Sequence, residues 1–258
     1  MFAKKSSLPV ILALGLTIFT IGCGGTEEKK EVDDHTPSET AADFKEIFDG
    51  KTLTGWEGDT SLWRAEGGIL IGEIKPGQEL KTNSFIIWRG GETADFELVA
   101  EYNITETGNS GINYRSEQVA DVPFALKGYQ ADIDGQNVYT GQNYEERGRT
   151  IIAFRGQNVT LPATDTGKSV RNVWNAAVQG TPAGNSDSLK ALIKGNDWNE
   201  IRIIAKGNSL KHYINGALTA EVTDDDTVNR KMSGLLGFQV HVGPPMKIQY
   251  RNIRLKTL

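Results

Sequence analysis

Three short stretches of the chain set hydrogen-bonding side chains at every second position. Residues 237–245 read Gly-Phe-Gln-Val-His-Val-Gly-Pro-Pro, residues 111–115 read Gly-Ile-Asn-Tyr-Arg, and residues 128–134 read Gly-Tyr-Gln-Ala-Asp-Ile-Asp. Successive side chains of a strand point to opposite faces, so Phe238, Val240 and Val242 are expected to enter a core while Gln239 and His241 stand together on the other side. The same alternation pairs Asn113 with Arg115, and Gln130 with Asp132 and Asp134. Amides, carboxylates, a guanidinium and an imidazole on one sheet surface suit a ligand rich in hydroxyls. His241 leads as base or metal ligand, because an imidazole changes charge near neutral pH and Gln239 lies beside it. The other two histidines lack comparable surroundings, His35 in a polar stretch and His212 between Lys211 and Tyr213.

Regular turn signals point to the elements that would carry this surface. From Phe44 onward, pairs such as Asp49-Gly50, Gly67-Gly68, Gly90-Gly91, Asp134-Gly135 and Gly207-Asn208 punctuate β-branched and aromatic runs every eight to twelve residues. That rhythm indicates an all-β sandwich or barrel. Asn215-Gly216, between Lys211–Ile214 and Ala217–Val222, predicts a two-residue hairpin. One short helix is expected over Ser186 to Gly195, with Leu189, Leu192 and Ile193 on its apolar face. Residues 156–185 read as a long loop bordering the site.

The chain has 258 residues, one cysteine and a formal charge of −5. Lys4 and Lys5 precede an apolar run, Leu8 to Ile21, that is too short and too interrupted for a membrane span and stops at Gly22-Cys23. This predicts a signal over residues 1–22. The small residue before Cys23 resembles the lipobox of bacterial lipoproteins, although Thr20 replaces the usual leucine, and implies acylation of Cys23. Residues 23–43 are acidic and polar, with Val32 alone as a large apolar residue, and predict a flexible tether to a folded domain over 44–258. Losing Lys4 and Lys5 would take the charge from −5 to −7. Without a basic patch, nucleic acid is a poor partner, and the membrane would be met through the lipid alone. The expected place is the bacterial cell envelope, lipid-anchored, either periplasmic or surface-exposed.

Six phrases in order resemble the 3-keto-disaccharide hydrolase domain family: Ile47 to Trp56, Asp95 to Leu98, Asn109 to Ile112, Gly128 to Ile133, Tyr144 to Arg149, and Gly237 to Pro245 with Arg251 to Leu255. The resemblance covers essentially all of residues 44–258. It implies a concanavalin A-like jelly-roll sandwich of two antiparallel sheets, acting on glycosides whose sugar carries a ketone at carbon 3. Such a ketone acidifies the proton on carbon 2, so the glycosidic bond can break by proton abstraction, expulsion of the carbon 1 substituent and later addition of water. The route needs a base, a donor to the enolate oxygen and an acid for the leaving group.

His241, Asp132 and Glu145 are the expected catalytic groups, with Glu146 as an alternative to Glu145. Asn113, Arg115, Gln130, Gln239 and Arg149 are expected to bind substrate, Arg147 is a further donor, and Trp88 would stack on a sugar ring. Trp56, Trp63, Trp174 and Trp198 read as core or loop anchors, and Glu73 as a solvated rim residue. A divalent metal ion is the one cofactor this set leaves room for, held by carboxylate, amide and imidazole, but no spacing is diagnostic of it. Two other classes compete: a non-catalytic, lectin-like carbohydrate-binding module on the same face, and an ordinary retaining glycosidase. The last is disfavoured because neither Glu97 with Glu101 nor Glu145 with Glu146 gives an i, i+2 pair on the polar face.

Overall fold

The computed structural model describes residues 43–163 and 184–258. The expected signal, the tether up to residue 42, Cys23, His35, Trp174 and most of the expected loop lie outside the described residues. Strands β1 to β6 span Lys45–Glu46, Trp56–Glu57, Trp63–Glu66, Ile69–Ile74, Ser84–Thr93 and Phe96–Ile104. Strands β7 to β11 span Asn109–Gln118, Leu126–Asp134, Asn143–Glu146, Thr150–Ala153 and Gln157–Leu161, and helix α1 spans Ser186–Lys190. The chain closes with β12 at Asn199–Lys206, β13 at Ser209–Ile214, β14 at Ala217–Asp224, β15 at Gly234–Val240 and β16 at Met246–Thr257.

These strands form a two-sheet jelly-roll sandwich. One sheet has the order β11-β14-β13-β12-β6-β16-β4-β3 with β1 added on β16, and the other has β10-β9-β8-β7-β15-β5-β2. Every pairing is antiparallel except β11 beside β14, which is parallel. The residues of β11 had read as loop; they form a strand because Val159 and Leu161 alternate inward against β14 and are 2% exposed.

The core fills the space between the sheets. Ile112, Tyr114, Tyr129, Ala131, Leu236 and Phe238 come from the seven-stranded sheet, and Leu98, Tyr102, Ile201, Ile203 and Tyr250 from the other. Phe238 packs edge-on to Tyr250 at 4.6 Å between centroids and tilted against Trp56 at 5.4 Å. Burying an aromatic side chain of this size contributes about 2–3 kcal/mol through area alone. Phe238 and Val240 enter the core as the alternation predicts, but Val242 is 39% exposed. The strand has ended at Val240, and Val242 belongs to the turn into Gly243-Pro244-Pro245.

At the β13–β14 turn, Asn215 and Gly216 adopt φ of 49° and 80°, both positive as a type I′ turn requires. Helix α1 is shorter than its periodicity predicts. Asn185 caps its first turn through Oδ1, Leu189 and Ile193 are buried, but Leu192 is 49% exposed because the chain has left the helix by Ala191.

Candidate functional site

The cross-strand register sorts the polar side chains of the seven-stranded sheet into two faces. Directly paired residues point the same way. Gly111 pairs with Asp132, Asn113 with Gln130, Gln130 with Tyr144, and Gly128 with Glu146, which builds an outward face across β7, β8 and β9. Tyr114 pairs with Tyr129 and Tyr129 with Glu145, and this row faces the core. A cleft of about 530 Å³ opens on the outward face, walled by Asp132, Gln142, Glu146, Arg147 and His241. Its size is that of a small-molecule site.

Asp132 forms the floor and is 7% exposed. Gln130 Nε2 donates to its Oδ1 at 2.6 Å and Gln142 Nε2 donates to its Oδ2 at 2.5 Å. Burial nevertheless dominates, with the charges of Glu146 and Asp134 adding to it, and pushes the carboxyl up from 3.8 to about 7. Gly111 opposite has no side chain because a Cβ there would lie 2.5 Å from the Gln130 amide, so glycine lets Gln130 lie across the floor. Gln239 lies beneath, fully buried, exchanging amide bonds with Gln130 at 3.2 and 3.4 Å.

The walls carry charge. Glu146 is buried and its carboxyl is raised by desolvation, against the bond from Asn83 Nδ2 at 3.1 Å and the nearby charges of Arg147 and His241. Arg147 takes a left-handed backbone at φ 57° just after β9, which turns its guanidinium over the cleft, where Nη2 donates to Thr82 Oγ1 at 2.6 Å. His241 stands on the rim one residue past β15, its amide bonded to Asn109 O and its Nδ1 2.6 Å from Val242 O. A carbonyl oxygen only accepts, so Nδ1 carries a proton and Nε2 is the nitrogen turned away from this contact.

Gln130, Asp132, Gln239 and His241 thus meet at one place. Other expected site residues do not reach it. Glu145 faces the core, where both its oxygens bind Arg149, at 2.8 Å from Nε and 3.1 Å from Nη2. Arg149 is 1% exposed and also binds Asp224 at 2.7 Å and Asp226 at 3.4 Å, joining β9 of one sheet to β14 of the other. It is a buried inter-sheet tie, not a substrate donor. Arg115 sits at a bulge between Tyr114 and Glu117 with φ 46°, which breaks the alternation and sends its side chain to Asp95, Ala94 O and Gly207 O. Trp88 pairs with Leu236 and so shares the core side of β5; it lines another cleft, with Asp95 and Lys256.

Asn113 is on the outward face but sealed under it at 0% exposure, with Nδ2 on Ser116 Oγ at 3.3 Å and Oδ1 unpartnered. Asp134 is spent locally, accepting from the amides of Val138, Tyr139 and Thr140. Glu73 lies near the end of β4, paired with Arg64 at 2.7 Å. The reading of sequence missed Asn83, Gln142 and Tyr144 at the cleft, and ranked Arg147 too low. Tyr144 and Glu146 were findable, since they alternate on β9 as Gln130 and Asp132 do on β8; Asn83 and Gln142 lie in loops where alternation gives no signal.

Among the described residues no three or more His, Cys, Asp or Glu side chains gather as a metal centre would need.

A family model described as the 3-keto-alpha-glucoside-1,2-lyase-like domain matches residues 43–256. No curated protein matches the chain. Among solved structures, two candidate glycosyl hydrolases of Parabacteroides distasonis resemble it. The first has a TM-score of 0.54 at 16% identity, covering 83% of this chain and 99% of its own. The second has 0.51 at 18%, covering 84% and 95%. A carbohydrate-binding module of Bacillus subtilis gives 0.49 at 16%, covering 79% and 96%. At these identities the likeness of the two hydrolase candidates speaks to the fold.

Proposed function

From the premise that the chain belongs to the 3-keto-alpha-glucoside-1,2-lyase-like domain family, we propose that it cleaves glycosides of 3-keto sugars by elimination across carbons 1 and 2. The observation that carries this reading is the Asp132 carboxyl, buried on the cleft floor, oriented by two amides and poised near neutrality. A base tuned to the working pH is what removal of a proton beside a ketone demands.

In the proposed sequence the Asp132 carboxylate takes the proton from carbon 2. The electron pair of that C–H bond forms a carbon 2–carbon 3 double bond, and the ketone oxygen becomes an enolate stabilised by the Arg147 guanidinium. The enolate then collapses: the ketone re-forms, a double bond develops between carbons 1 and 2, and the carbon 1–oxygen bond breaks. Glu146, whose raised carboxyl keeps a proton further toward neutral pH than an ordinary glutamate, gives that proton to the departing oxygen. Water then adds its hydroxyl to carbon 1 and sheds its proton to His241 Nε2, protonated Asp132 returns a proton to carbon 2, and the proton on His241 passes to Glu146 to restore the starting state.

Purified protein incubated with matched ordinary and 3-keto glucosides, with and without chelator, tests the reading. Cleavage confined to the 3-keto substrates, unaffected by chelator, is the expected result. Binding of both without cleavage of either would put the non-catalytic carbohydrate-binding module in its place. We propose in addition that residues 1–22 are a signal, that Cys23 is acylated, and that residues 23–43 tether the domain to the bacterial envelope, in the periplasm or at the surface.

A further inference from the structure

His212 is the one described histidine that the proposed chemistry leaves unused, and it is fully buried. It comes from β13 of the nine-stranded sheet and crosses the core to the opposite sheet. There its Nδ1 lies 3.2 Å from the backbone oxygen of Gln142 and its Nε2 lies 2.9 Å from the Tyr114 hydroxyl. The carbonyl can only accept, so the proton sits on Nδ1 and Nε2 accepts from the tyrosine. Asn143 Nδ2 donates to the same hydroxyl at 3.1 Å, and Thr219 Oγ1 ties the backbone oxygen of His212 at 3.0 Å. Burial holds the imidazole down at about 4, so it stays neutral wherever the enzyme works.

The residue it grips is the one that grips Asp132. Gln142 donates its side-chain amide to Asp132 Oδ2, and its backbone oxygen also accepts from the Asp132 amide at 3.3 Å. We infer that His212 is a positioning residue, acting through Gln142 to fix the amide that holds the catalytic carboxylate. This rests on the proposed role of Asp132 as base.

The physical step is that a hydrogen bond to a carboxylate favours its charged form. If the 142–143 segment loosens, the Gln142 amide drifts from Oδ2 and the carboxylate loses one of its two amide donors. The other groups that act on Asp132 do not depend on His212: Glu146 and Arg147 on the β9 side, Asp134 on its own strand, and His241 beyond β15. The ionisation of Asp132 should then move upward while the rest of the cleft keeps its charges.

The test follows the Asp132 carboxyl by carbon NMR titration of the full chain, beside the pH profile of 3-keto-glucoside cleavage, in His212→Leu, His212→Gln, Gln142→Leu and the double variant His212→Leu with Gln142→Leu. His212→Leu should raise the Asp132 ionisation by about one pH unit, so that kcat/KM falls about tenfold at pH 6 and converges on wild type above pH 9. Gln142→Leu should do the same, the double variant no more than either alone, and His212→Gln, whose amide can still donate to Gln142 O, should restore most of the profile. An unchanged Asp132 titration with a rate lowered equally at every pH overturns the inference. If His212→Leu fails to fold, Tyr114→Phe, which removes the hydroxyl shared by His212 Nε2 and Asn143 Nδ2 but leaves the Nδ1 contact, takes its place. It should shift Asp132 in the same direction by less, and no shift in it overturns the inference. A wild-type Asp132 that titrates near 4 would instead unseat the base of the proposed mechanism, with the effect of His212 still readable on the carboxyl.

Discussion

Replacing Asp132 by Asn separates activity from stability in opposite directions. The carboxyl moves from 3.8 in the unfolded chain to about 7 in the fold. A group whose folded value is raised binds its proton more tightly in the native state, so its contribution to stability is present below pH 4 and is lost as pH rises through 7. Three pH units at about 1.4 kcal/mol each set an upper bound of about 4 kcal/mol of stability forgone at pH 8. Asn carries no charge and does not incur that loss. It does present one donor where Gln130 and Gln142 both donate, so one of those amides must turn over, and the net gain should be about 1–3 kcal/mol. For a domain of this size that corresponds to a rise of roughly 2–12 °C in Tm at pH 8 and no rise at pH 4. Over the same substitution kcat for a 3-keto glucoside should fall by roughly a hundredfold or more. The assays are thermal unfolding at pH 4 and pH 8 and initial rates at pH 8. Asp132→Asn that retains a tenth of wild-type turnover would refute the role as base, and one that gains as much stability at pH 4 as at pH 8 would refute the burial argument.

In wild type, kcat/KM should follow a bell, rising at acid pH as Asp132 loses its proton and falling at alkaline pH as Glu146 loses the one it donates; a rate that keeps climbing through pH 9 would contradict the role of Glu146. His241→Ala should lower turnover by about tenfold to a hundredfold while Tm stays within about 1 °C, because the ring stands on the rim; unfolding of the variant would count against that placement. Phe238→Ala, on the core face of the same sheet, should cost about 3–5 kcal/mol in denaturant unfolding. Glu145→Gln should destabilise the fold by about 1–3 kcal/mol through the weakened charge-assisted bonds to Arg149, which keeps Asp224 and Asp226 as partners, with activity of the folded fraction kept. Cys23→Ser should release the full-length protein from membranes, and unchanged membrane association would argue against acylation.

Where local periodicity governs direction, the sequence was readable. Phe238 and Val240 lie inward, Gln130 and Asp132 outward, and Asn215-Gly216 turns the hairpin, because each depends on strand alternation or on the φ of two residues. Arg115 was misplaced because φ 46° at a bulge reverses the face that counting by twos assigns. Nothing in one sequence marks where a bulge falls. Glu145 and Glu146 are adjacent, and choosing between them required knowing that Gly128 and not Tyr129 stands opposite Glu146. Trp88 obeys alternation but lies in a strand whose outward side is taken by Phe85 and Ile87, packed under Leu126.

His212 was illegible for a different reason. It alternates with Leu210 and Ile214 on β13, so its position is that of a core residue, and its partners come from β7 and β9, about a hundred and about seventy positions away. A buried imidazole costs stability unless its nitrogens are matched, and here both are. A leucine at that place would pack without such a requirement. The polar partners therefore serve something other than the core, and the group they lead to, through Gln142, is the Asp132 carboxyl. The same logic applies at Asp132, where the fold gives up stability above pH 4 to keep a carboxyl dry. Two costs of this kind, joined by one glutamine, support the proposed site at the start of β9.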